Sequence, residues 1–84
     1  MIRARVCIFE PLAEGGYEKF CEREVYLRPL PKDSGATYEA DLPAEVAVGW
    51  RILDHNRLYQ IVSAAIVGPV ARCVLTRMAS TPGG

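Results

Sequence analysis

Trp50-Arg51-Ile52-Leu53-Asp54-His55-Asn56-Arg57-Leu58-Tyr59-Gln60-Ile61-Val62-Ser63-Ala64-Ala65-Ile66-Val67 carries the strongest structural signal in the chain. Trp50 to Leu53 is a short run of β-type residues. Asp54 to Arg57 are turn formers, and Leu58 to Val67 is a long β-branched and aromatic run, so the segment reads as a β-hairpin. Gly68-Pro69 then turns the chain into Arg72-Cys73-Val74-Leu75-Thr76-Arg77-Met78. Three antiparallel strands in succession make a meander.

Outward from this core the pattern continues toward the N-terminus. Residues 2 to 9 alternate with period two, with Ile2, Ala4, Val6 and Ile8 on one face and Arg3, Arg5, Cys7 and Phe9 on the other. Pro11 and Gly15-Gly16 interrupt the chain, and Tyr17 to Glu22 fits one helical turn, an extended edge or an irregular connection. Glu24 to Leu30 reads as a second strand, with Val25 and Leu27 on one face and Tyr26 and Arg28 on the other, ended by Pro29 and Pro31. Lys32-Asp33-Ser34-Gly35 is a turn by composition. Thr37 to Leu42 is either a short strand or a surface run, and Pro43-Ala44-Glu45 opens either a helical turn ending at Gly49 or an extended path. The fold expected is all-β: a small antiparallel β-barrel or sandwich of four to six short strands with at most one short helical turn. A single domain is expected over residues 1–79, followed by a C-terminal tail, 80–84. The aromatic residues Phe9, Tyr17, Phe20, Tyr26, Tyr38, Trp50 and Tyr59 are assigned mainly to the core.

At 84 residues and 9.3 kDa the chain has room for one thin core. Surface scaling gives roughly 5,000 Å² exposed when folded against about 13,500 Å² unfolded, about 63% buried. With 50% hydrophobic and 24% charged residues the composition is that of a folding globular chain. No apolar stretch approaches the roughly 18 residues of a membrane span. Met1-Ile2-Arg3-Ala4-Arg5 leads into no signal-like run, so a soluble intracellular product without a membrane partner is expected. The formal net charge of zero disfavours a general nucleic-acid binder held by phosphate neutralisation. It also conceals a division: residues 1–49 carry six basic and nine acidic groups, net −3, and residues 50–84 carry four basic and one acidic, net +3. Either the halves lie on different sides and make a dipole suited to stacking, or they interleave and the charges mix.

Chemistry-bearing residues are few. Cys7, Cys21 and Cys73 are odd in number, scattered and free of a C-x-x-C pair, which reads as reduced thiols acting as small hydrophobes. A zinc site would need all three together with His55, the single histidine, brought in from four segments. His55 lies among turn formers and reads as a solvated loop residue, which leaves a Cys-His enzyme as the weakest reading. No Gly-rich phosphate loop, H-E-x-x-H or G-x-S-x-G occurs. No catalytic residue, metal or cofactor is expected.

Three segments carry a resemblance: Glu24-Val25-Tyr26-Leu27-Arg28-Pro29-Leu30-Pro31 as a strand with its turn, Trp50 to Ala64 as the hairpin, and Arg72 to Met78 as a closing strand. In this order they resemble the head-tail adaptor or head-closure proteins of long-tailed bacteriophages, over residues 2–78. The chain is shorter than typical members, and the shortfall lies between the second strand and Trp50. The resemblance implies a small β-barrel that forms a homo-oligomeric ring of six or twelve copies. Such a ring sits in the neck of the virion, is assembled in the host cytoplasm, and stacks between portal or adaptor and tail proteins while DNA passes through without sequence specificity. It also implies contacts with neighbours from the Arg57 turn, residues 36–48 and the tail, represented by Tyr38, Leu42, Val46, Arg57, Tyr59 and Pro82, and with DNA in the channel from Arg51, Arg72 and Arg77. Strands 2–9 and 58–67 offer apolar residues for the interface between subunits. The alternative is a small β-barrel nucleic-acid-binding module using Arg51, Arg57, Arg72 and Arg77 with Tyr59 or Trp50, which requires the four arginines to share one face.

Overall fold

The fold is that of a computed structural model, which describes residues 2–30 and 37–78. The turn expected at Lys32 to Gly35 and the tail 80–84, with Pro82, lie outside the described residues. Six strands follow in chain order: β1 (Ile2–Pro11), β2 (Tyr17–Pro29), β3 (Thr37–Pro43), β4 (Arg51–Asp54), β5 (Arg57–Val67) and β6 (Val70–Arg77). They close an antiparallel barrel in the order β1-β2-β3-β6-β5-β4, as the all-β reading expects, and the described residues contain no helix.

Alternation builds the interior. Val6 and Ile8 of β1, Val25 and Leu27 of β2, Ala40 and Leu42 of β3, Ile52 of β4, Tyr59 and Ile61 of β5, and Ala71, Cys73 and Leu75 of β6 all point inward and are buried. Val46 reaches the same core from the loop after β3, where its N–H donates to the Pro43 carbonyl at 3.2 Å. That contact makes a turn rather than the helical turn considered for residues 43–49. The outer face carries ion pairs such as Arg3–Glu24, Arg5–Glu22 and Arg28–Glu39. A charged exterior around an apolar interior is the inverse of the pattern in a membrane-spanning barrel.

Prolines and positive-φ residues set the strand limits. β1, β2 and β3 each end on a proline, which removes a ladder donor. Gly68 at φ 63 followed by Pro69 makes the tight link between β5 and β6, and His55 takes the corresponding left-handed conformation, φ 56, between β4 and β5. β2 is longer than its sequence signal, beginning at Tyr17 rather than Glu24, because the ladder with β1 runs from Ile2↔Leu27 to Pro11↔Tyr17. The hairpin partner supplies an order that the charged Glu18-Lys19 stretch does not show by itself.

The aromatic residues depart from expectation. Tyr59 is buried, but Tyr17, Phe20 and Tyr26 are exposed, and Phe9, Tyr38 and Trp50 are half-buried. A barrel this narrow fills with aliphatic side chains, so most rings pair outside it or near its mouths. Phe20 meets Trp50 edge-on at 5.1 Å, and Tyr38 meets Tyr59 at 5.6 Å.

Strand order also resolves the charge division. The N-terminal strands β1-β2-β3 form one continuous half of the wall and β4-β5-β6 the other. The halves meet along β3 and β6, from Thr37↔Thr76 to Pro43↔Val70, and along β1 and β4, from Cys7↔Leu53 to Phe9↔Arg51. The acidic and basic halves of the sequence therefore occupy different sides of the barrel. Leu75 lies fully buried beside the longer seam. Leu75→Ala should lower unfolding free energy by about 2–5 kcal/mol, a large part of the stability of so small a domain, as read by denaturant titration.

Candidate functional site

The strands differ greatly in length, and the mismatch leaves backbone uncovered. β4 pairs with β5 only from Asp54↔Arg57 to Arg51↔Gln60. Beyond it, the Ile61 N–H donates to the Trp50 carbonyl, and the Gly49 N–H donates to the Ile61 carbonyl, both at 2.9 Å. From Val62 to Val67, β5 keeps β6 on one side and, among the described residues, has no strand on the other. A bulge between Ile61 and Ser63 inserts Val62 and bends the strand. All six residues are exposed, including Val62 (48%), Ile66 (66%) and Val67 (43%), although their β6 neighbours Ala71 and Cys73 are buried. The segment Val62-Ser63-Ala64-Ala65-Ile66-Val67 carries no charge.

A second open edge lies on the other half of the wall. β2 pairs with β3 only at Arg28↔Glu39 and Pro29↔Tyr38, so the two strands splay apart and, among the described residues, the outer edge of β2 from Tyr17 to Leu27 has no ladder. The gap is a groove of about 430 Å³, with Arg23, Glu24 and Val25 on one wall and Asp41 to Glu45, Pro69 and Val70 on the other. Its closed end is held by charge. Arg28 donates to Glu39 at 3.3 Å and to Asp41 at 3.4 Å, and Arg72 donates to Asp41 at 3.1 Å. The Arg72 hydrogen bond, with its charge and that of Arg28, holds the Asp41 carboxyl below the usual carboxylate range, and Asp41 in turn raises the Arg72 guanidinium.

A third feature is an outer cleft of about 310 Å³ bordered by Phe9, Tyr17, Arg51, Leu53 and Leu58. Arg51 stacks over the Tyr17 ring at 4.2 Å, and its buried Nε has no hydrogen-bond partner among the described residues. The Tyr17 hydroxyl donates to the Gly49 carbonyl at 3.4 Å, which ties the start of β2 to the loop before β4.

Several residues expected at contacts lie elsewhere. Leu42, Val46 and Tyr59 are buried in the chain's own core and have no surface to offer a neighbour. Their parity on inward-facing strands, or for Val46 a turn that folds back over the barrel, accounts for it. Tyr38 is half-buried against Tyr59, and Arg57 is exposed at the start of β5. The four arginines do not share a face. Arg51 lies on Tyr17, Arg72 on Asp41 at the groove, while Arg57 and Arg77 sit where β5 begins and β6 ends, through Asp54↔Arg57 and Tyr59↔Arg77. The nucleic-acid reading therefore lacks the common basic face on which it depends.

Cys7, Cys21, Cys73 and His55 do not converge. His55 projects from the β4–β5 turn with its side chain 92% exposed and 4.0 Å from Asp54. Cys73 lies in the core, where burial pushes its thiol up to about 11, and Cys7 is also raised, by desolvation and by the neighbouring Glu22 carboxylate. Both are therefore protonated at neutral pH and poorly nucleophilic. Among the described residues no group of three or more His, Cys, Asp or Glu side chains is placed to hold a metal ion.

In comparisons with known proteins, no family model, curated protein or solved structure matches the chain.

The open β2 edge is the surface that the sequence concealed. Its signal was the absence of any second long apolar strand to cover Tyr17 to Leu27. The exposed half of β5 was more legible, since Leu58 to Val67 greatly outruns the Trp50 to Leu53 segment opposite it.

The Asp41 pair makes the closed end of the groove acid-sensitive. A carboxyl lowered in the fold stabilises it above the unfolded value, near 3.8, and that contribution is lost as the pH falls through the lowered value. Between about pH 4 and 2 wild type should lose stability more steeply than Asp41→Asn. The difference should be under about 1 kcal/mol, because the pair is partly solvated. Denaturant midpoints measured across that range check it.

Proposed function

We propose that this chain is a structural ring subunit of the neck of a long-tailed bacteriophage particle, joining portal or adaptor to tail around the DNA channel. The observation that carries the reading is the uncovered, uncharged β5 segment Val62–Val67 at an open edge of the barrel wall. A strand exposed on both faces and along one edge is an association surface in a folded chain, because apolar area and unpaired backbone groups both gain from a partner. The thin core points the same way, since assembly adds burial that a 9.3 kDa chain cannot supply alone.

Three further features support the reading. The segments on which the resemblance to neck connectors rests fold as strands, with Trp50 to Ala64 contributing the β4–β5 hairpin. The −3 and +3 halves of the sequence form different sides of the barrel, which suits contact between unlike surfaces. Arg77 is exposed and, among the described residues, without an ion pair, which suits a lightly positive channel lining through which DNA passes without being trapped. The chemistry required is adhesion and fit, and the protein works through surfaces rather than through a reactive group.

Light scattering on the purified chain, with negative-stain imaging, tests this. The expected result is an annular particle several times the 9.3 kDa chain mass. A strict monomer at every concentration, unchanged when portal or tail components are added, contradicts it.

A further inference from the structure

We infer that the ring closes by strand addition: the uncovered β5 edge of one copy, Val62–Val67, pairs with the open β2 edge of the next copy along Glu18 to Val25. The inference rests on the ring reading above and names its interface.

Both edges present backbone donors and acceptors that lack a ladder among the described residues, and a neighbouring strand satisfies them as β-augmentation does. The lengths match. Six residues of β5 span about 20 Å, and the open stretch of β2 is at least as long. The surroundings match as well. The β2 edge borders the groove whose accessible apolar lining is Pro43, Pro69 and Val70, against which alternate side chains of an incoming Val62–Val67 strand can pack.

Charge selects the second copy as occupant. The β2 strand is itself charge-balanced, Glu18, Glu22 and Glu24 against Lys19, Arg23 and Arg28, but it belongs to the half of net charge −3, and the groove beside it has an acidic excess, with Glu24, Asp41 and Glu45 against Arg23. The β5 edge has no charge of its own and belongs to the half whose net charge is +3. Docking β5 on β2 brings the positive half of one subunit against the negative half of the next. The two edges differ, so the contact is heterologous. Such contacts leave a free edge at each end until the chain of subunits closes into a ring. Pairing β5 with a second β5 would instead stop at a dimer and leave β2 open.

Directed cross-linking tests the pairing. In a Cys7→Ser, Cys21→Ser background, which leaves only the buried Cys73, Ala65→Cys is combined in turn with Glu22→Cys, Arg23→Cys and Glu24→Cys, and each variant is oxidised. A ladder of disulfide-linked multimers from at least one double variant, absent from each single variant, is the expected result. Ile66→Lys, at an exposed position, should return the assembly to monomers while keeping a β-sheet circular dichroism spectrum. Suppose the unmodified chain forms rings, but no double variant gives a ladder or Ala65→Cys alone gives dimers. The edge pairing is then overturned and the ring reading stands. If the unmodified chain is itself monomeric, both are overturned.

Discussion

The architecture depends on one constraint: β4 is only four residues long, held between the turn at Gly49 and the turn at His55. Within that length it completes the barrel by pairing with both β1 and β5. It has nothing left with which to cover the far half of β5. The closing strand of the barrel is thus also the reason that Val62 to Val67 stands bare. Lengthening β4 would protect the edge and remove the surface on which assembly is proposed to depend.

The rest of the wall answers to this constraint. Where β4 ends, Gly49 and Trp50 take over the backbone of Ile61, and the bulge at Val62 turns β5 away from the core. On the opposite half, β2 meets β3 through two residue pairs before the strands part, and Arg28, Asp41 and Arg72 hold that junction. The barrel is closed at its seams and open along two edges of different character, one apolar and uncharged and the other rich in charges of both signs. A chain with two unlike open edges is suited to a repeating head-to-tail contact.

Much of this was legible in the residues. The alternation of Ile2 to Phe9 and the Trp50 to Val67 hairpin point to β-structure, and the barrel holds Val6, Ile8, Ile52, Tyr59 and Ile61 inside as their parity requires. The first part of β2 was not legible, because its Glu18-Lys19-Phe20-Cys21-Glu22 run has no clear period and is ordered by pairing with β1. Contact residues were the least legible. Leu42, Val46 and Tyr59 are the apolar types that interfaces also use, and only the closed barrel shows that the chain's own interior takes them. What composition does disclose is the surplus: the alternating strands fill the core before Val62, Ile66 and Val67 are placed.

Amide hydrogen exchange across Val62–Val67 tests the central claim most directly. In the isolated chain the alternate amides of this segment that do not bond β6 face no strand among the described residues, whereas in an assembly built on this edge they lie inside a continuous sheet. The account predicts exchange that slows by orders of magnitude when the chain assembles, together with slowing along Glu18 to Val25. Rapid exchange at the edge-facing amides of Val62–Val67 in the intact assembly would contradict it.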